Sequence, residues 1–138
     1  KSYYCISIDT CTLPEPIVNG KALIYLIRPV SLFNSAEIHK ISLSSLSDDS
    51  TMFAEISGSE YCIFYTSPGK IILHSEGGDG VGDSLKLQVK ANEVYYVRHS
   101  VVTPTFTGKV GANLSRINHQ EAKNLLEAVA GRCYQQRK

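Results

Sequence analysis

Between residues 84 and 91 apolar and polar side chains alternate without interruption, with Leu85, Leu87, Val89 and Ala91 in one phase and Ser84, Lys86, Gln88 and Lys90 in the other. Successive side chains of an extended strand point to opposite faces of the pleat. The segment therefore suits a sheet with one face on a core and the other in water. Residues 21–28, KALIYLIR, are apolar in both phases, which predicts a strand inside a sheet covered on both sides, stopped by Pro29. Residues 38–46 alternate again, Ile38, Lys40 and Ser42 against His39, Ile41 and Leu43.

The remaining segments fit the same plan. Residues 51–56 and 60–66 flank Ser57, Gly58 and Ser59 and read as two strands joined by a short connection, and Ser67, Pro68 and Gly69 form a tight turn into residues 70–76. Ala91, Asn92 and Glu93 turn the chain into a further strand over residues 94–101, as in a hairpin. The last element changes period. Ala122, Leu125, Leu126 and Val129 recur at helical spacing behind a capping pair, Asn118 and Glu121, with Gly131 as the stop, which predicts a helix over His119–Ala130 lying on the sheet. About seven strands followed by one helix predict a mainly β fold, an antiparallel β-sandwich of immunoglobulin- or prealbumin-like type with one C-terminal α-helix. The chain reads as a single domain over residues 1–138, with an extended lead-in at 1–20, the sandwich at 21–117 and the helix at 118–131.

A chain of 138 residues is long enough for one core, and 43% hydrophobic with 20% charged residues is ordinary for a globular domain. The net charge of +1, with basic residues scattered among acids, speaks against a nucleic-acid partner. No apolar run reaches the ~20 residues of a bilayer-spanning helix. Cys5, Cys11, Cys62 and Cys133 are even in number and none is in a C-x-x-C pair, so a disulfide framework is expected rather than a zinc ribbon or a redox motif. The favoured pairing is Cys5 with Cys11 and Cys62 with Cys133; the alternative is that Cys62 is a buried reduced thiol. The start at Lys1, without a Met, leads us to expect a missing N-terminal piece such as a signal peptide; because Ser2, Tyr3 and Tyr4 do not make Cys5 a lipidation site, any lipid anchor is expected on that piece.

KALIYLIRP at residues 21–29, SPGK at 67–70, LKLQVKANEVYYVR at 85–98 and EAKNLL at 121–126 together resemble a family of small bacterial envelope domains of unknown function, often lipoproteins, similar to prealbumin-like and PEGA-type surface sandwiches. The resemblance covers residues 20–126. It implies an exported bacterial protein, periplasmic, associated with the outer membrane or secreted, with a β-sandwich and no known activity. The four cysteines and the long lead-in depart from that pattern and leave lipidation open.

Candidate chemistry is sparse. The glycine-rich segment 77–83 holds Gly78, Asp79, Gly80 and Asp83, and reads as a mobile binding loop rather than a calcium loop, because the further oxygen ligands of such a site are missing. His74, Glu76 and His99 are a conceivable two-His, one-carboxylate cluster, but no spacing motif supports it, and no metal or other cofactor is expected. Without a G-x-S-x-G elbow, and with the paired acids Asp48 and Asp49 in a polar turn, no catalytic residues are assigned and no enzyme is expected. Of the adjacent tyrosines, one of Tyr95 and Tyr96 is expected in the core and the other partly exposed as contact surface. The sequence thus predicts a non-catalytic binding, adaptor or structural module with a protein partner in the envelope or host. The alternative is a small-ligand or metal-ion binder using the 77–83 loop or the His74 region.

Overall fold

In the computed structural model, which describes residues 5–7, 18–29, 37–58, 60–77, 81–102 and 111–130, the doubly apolar segment becomes strand β2 (Ala22–Arg28), and every one of its residues is buried. Around it lie β1 (Cys5–Ser7), β5 (Glu60–Thr66), β8 (Val94–Val102) and β9 (Gly111–Ile117), giving a five-stranded sheet in the order β1-β5-β2-β8-β9. The second sheet has four strands in the order β4-β3-β6-β7, with β3 at His39–Ser45, β4 at Ser50–Ile56, β6 at Gly69–Ser75 and β7 at Asp83–Val89. Helix α1 (His119–Ala130) follows. The mainly β class and the terminal helix are those expected from the sequence; β1 and β9 join the segments read as strands.

The strictly antiparallel arrangement expected from the sequence is not what forms. β2 runs parallel to β8, with Leu23 opposite Val94 and Ile27 opposite Arg98, so the five-stranded sheet is mixed, while every pairing in the four-stranded sheet is antiparallel. The reason lies in the short turns. β3–β4 and β6–β7 are hairpins within one sheet, but the connections β4–β5, β5–β6 and β7–β8 each carry the chain from one sheet to the other. The Ala91-Asn92-Glu93 turn is therefore an arch between layers and not the hairpin its sequence suggested. Its geometry sets the parallel register. Asn92 sits in the left-handed region at φ 65°. Its N–H donates to the Lys21 carbonyl at 2.7 Å, its Oδ1 accepts from Gly20 N at 2.8 Å, and the Glu93 carbonyl accepts from Leu23 N at 3.0 Å.

Between the sheets lies one core. β2 contributes Ala22, Ile24 and Leu26, β5 contributes Phe64, β3 contributes Ile41 and Leu43, β6 contributes Ile71 and Leu73, and β7 contributes Leu87 and Val89 with Leu85 packed at the margin. The phase of residues 84–91 is thus the one the alternation dictated. On the far side of the five-stranded sheet a second cluster forms from the opposite phase of β2, Leu23, Tyr25 and Ile27, with Tyr61 of β5 and Ala122 and Leu126 of the helix. Capping of α1 is reciprocal: Asn118 Oδ1 accepts from Glu121 N at 2.8 Å and Glu121 Oε1 accepts from Asn118 N at 3.3 Å. No helix among the described residues is long and apolar enough to cross a membrane.

The turn at Asn92 yields a test. Asn92→Ala is expected to cost about 1–2 kcal/mol, because it loses the side-chain bond to Gly20 and keeps a β-carbon in a left-handed conformation. Asn92→Gly relieves the backbone without restoring the bond and is expected to cost less. Urea denaturation of the three chains reads the order.

Candidate functional site

Apolar side chains fill the middle of the inter-sheet space, but one end of it is polar. Arg28 at the end of β2, His39 at the start of β3, Ser75 at the end of β6 and His99 in β8 are all buried. Each sits in the inward phase of its strand: His39 precedes Ile41 and Leu43 by even steps, and His99 follows Tyr95 and Val97. The two sheets are stitched together here by hydrogen bonds. Arg28 Nη1 donates to the carbonyls of Ile56, at 3.2 Å, and of Glu37, and His99 Nε2 meets Ser75 Oγ at 2.9 Å across the layers. The rings of His39 and His99 pack edge to face with centroids 5.0 Å apart.

The hydrogen bonds fix both imidazole tautomers. His39 Nδ1 lies 2.8 Å from the Glu76 carbonyl, which only accepts, so Nδ1 carries the proton and Nε2 of the neutral ring is a bare lone pair. The Ser75 hydroxyl donates its one proton to the same carbonyl at 2.9 Å. Ser75 Oγ must then accept from His99, which places that proton on Nε2 and leaves Nδ1 as a second bare lone pair. His39 Nε2 and His99 Nδ1 are buried and have no hydrogen-bond partner among the described residues. Burial, reinforced by the neighbouring His39 ring and by the positive charge of Arg28, pushes His99 down to about 3. Burial likewise lowers the Arg28 guanidinium from its ordinary value, with Glu37 and Glu60 acting in the opposite direction.

The residues singled out from sequence fall elsewhere. His74 lies on the outward face of the four-stranded sheet, exposed and bonded through Nδ1 to Ser84 Oγ at 2.8 Å, and the Glu76 carboxylate turns to Lys40 N. His99 faces the interior, so the fold does not assemble His74, Glu76 and His99; the imidazole beside His99 is that of His39. Among the described residues no group of three or more His, Cys, Asp and Glu side chains is placed to hold a metal ion. Of the glycine-rich segment, Gly78, Asp79 and Gly80 lie outside the described residues. Asp83 works as a brace: its Oδ1 accepts from Ser84 N at 2.9 Å and its Oδ2 from Leu114 N at 2.6 Å, tying β7 to β9 across the layers. Gly77 and Gly82 flank the loop without a positive φ. They are needed for space, since a β-carbon at Gly77 would collide with the Val81 carbonyl and one at Gly82 with the Ser75 carbonyl.

Tyr95 is the core member of its pair. Its hydroxyl accepts from Lys90 N at 2.8 Å and donates to Glu93 Oε1 at 3.2 Å, holding the arch, and Arg116 lies over its ring. Tyr96 is the half-buried member, stacked on Tyr25 at 5.3 Å and bonded through its hydroxyl to His119 Nδ1 at 2.8 Å. Cys62 is buried and disulfide-bonded, and its backbone partner in the ladder is Cys5. Cys11 and Cys133, and with them both favoured pairings, lie outside the described residues. At the opposite end of the inter-sheet space a cleft of about 220 Å³ is lined by Lys21, Asp48, Ser50, Thr51, Thr66 and Ser67. Its polar groups are committed to one another. Hydrogen bonds from the hydroxyls of Ser50 and Ser67 hold the Asp48 carboxyl down at about 2, and Lys21 Nζ donates to Ser67 Oγ at 3.3 Å.

No protein-family model, curated protein or solved structure matches the chain.

Ser75 is the test of the polar end. Ser75→Ala strands the His99 Nε2–H in the interior and is expected to cost about 1–3 kcal/mol at pH 7.5, whereas His74→Ala, on the exposed face one residue away, is expected to cost less than about 0.5 kcal/mol. Chemical denaturation separates the two.

Proposed function

We propose that this chain is a non-catalytic module of a bacterial envelope or of the secreted compartment, acting as an adaptor or structural component through a protein partner. The observation that carries the reading is the oxidised sulfur of Cys62 inside the core, because stable disulfides belong to oxidising compartments. The scaffold suits the role. The four-stranded sheet turns an open face outward on which Phe53 is 53% exposed among Lys40, His74 and Lys86, a mixture of aromatic and polar side chains of the kind found at protein interfaces.

Thiol titration of the denatured full chain is expected to leave Cys62 unreactive until reductant is added, and fractionation of cells making the full-length protein is expected to place it in the envelope or the medium. Four free thiols together with recovery in the cytosol would remove the basis of the proposal.

A further inference from the structure

At the polar end of the interior one nitrogen of each imidazole, His39 Nε2 and His99 Nδ1, is buried without a hydrogen-bond partner among the described residues. A proton arriving at His39 Nε2 or His99 Nδ1 creates a buried N–H for which the described residues offer no acceptor. It also places a positive charge near Arg28 and beside a second imidazole whose ring centroid is 5.0 Å away. Among the described residues, no carboxylate acts on His99 to offset it. Glu37, ahead of β3, and Glu60, at the start of β5, act on Arg28. The Glu76 carboxylate reaches toward Lys40 N, and β4 presents the Ile56 carbonyl, already bonded to Arg28. From β9 the residue opposite His99 is the uncharged Leu114.

We propose that the Arg28–His39–Ser75–His99 cluster is an acid-sensitive latch that keeps the two sheets together at this end at neutral pH and lets them part there when His99 takes up a proton. Parting the sheets hydrates the new charge. The segments released are those that the cluster ties: the end of β2, the start of β3, the end of β6 and the middle of β8. The direction follows from the proton balance. His99 titrates at about 3 in the folded chain and near its ordinary 6.5 once unfolded. The unfolded state therefore binds the proton first, and stability is complete above pH 6.5 and lost progressively as the pH falls toward 3. At pH 4.5 this one group lowers the folded-to-unfolded ratio roughly hundredfold.

The experiment is urea denaturation from pH 7.5 to 4.5 of the full chain and of the double variant His39→Asn, His99→Gln. Asn keeps a donor at the position of Nδ1 toward Glu76 and Gln one at the position of Nε2 toward Ser75, and neither titrates. The native chain is expected to lose roughly a hundredfold more in its folded-to-unfolded ratio than the variant; parallel losses overturn the proposal. Should the variant fail to fold, nitrogen NMR and amide exchange on the native chain decide. The expected result is a proton on Nδ1 of His39 and on Nε2 of His99 at pH 7, with exchange at residues 39, 75 and 99 accelerating between pH 6 and 4.5 beyond the intrinsic pH dependence. Other tautomers, or protection at those amides that does not change with pH, overturn it.

Discussion

Every side chain of β2 is buried, and the two phases of that strand bury against different things. Ala22, Ile24 and Leu26 face the four-stranded sheet, while Leu23, Tyr25 and Ile27 face the tyrosines and the helix. A strand of this kind is stable only as the middle member of a sheet closed over on both sides. The requirement places β5 and β8 beside it, brings the second sheet over one face and makes the terminal helix a structural cover for the other. Tyr25 is the centre of that outer layer, in ring contact with Tyr61 and Tyr96. The helix supplies the apolar stripe that the tyrosines leave open.

The inner layer changes character along its length. Its centre is held by non-directional apolar contact, whereas its two ends are held by hydrogen bonds: Arg28, Ser75 and His99 at one, and the hydroxyl network around Asp48 at the other. Directional bonds fix the position of one sheet over the other more tightly than aliphatic packing alone, since each buried donor left without its acceptor costs about 1–3 kcal/mol. The price of that specificity is a dependence on protonation state. The Glu76 carbonyl, which accepts from both His39 and Ser75, is the point on which both imidazole tautomers turn.

How much of this was legible in the residues depends on the range of the interaction. Local signals held. The period of residues 84–91, the doubly apolar run at 21–28 and the Asn118–Glu121 capping pair each correspond to the element they announced. β9 carries no such signal, because GANLSRI buries only Gly111 and Leu114 fully and shows no regular alternation. Turn chemistry misled where the same tight turn serves two purposes. Residues 91–93 have the composition of a hairpin, and only the partner strands decide that the turn is an arch. The His39–His99 pair joins residues sixty positions apart by sequence number, so spacing carried no hint of it. Phase did: both histidines fall on the buried parity of their strands, a position where an imidazole must find partners.

The parallel ladder between β2 and β8 has a consequence for how the molecule is made. Leu23 meets Val94, so the central strand cannot acquire this neighbour until some seventy further residues have been synthesised. Closing so long a loop is entropically costly, and topologies dominated by such distant pairings form slowly, on the order of milliseconds to seconds. In that interval β2 has β5 as its earlier partner and its other edge bare. During biosynthesis the most hydrophobic strand of the chain is thus also the one that waits longest to be enclosed, which makes residues 22–28 the stretch on which the nascent protein most depends for protection from premature association.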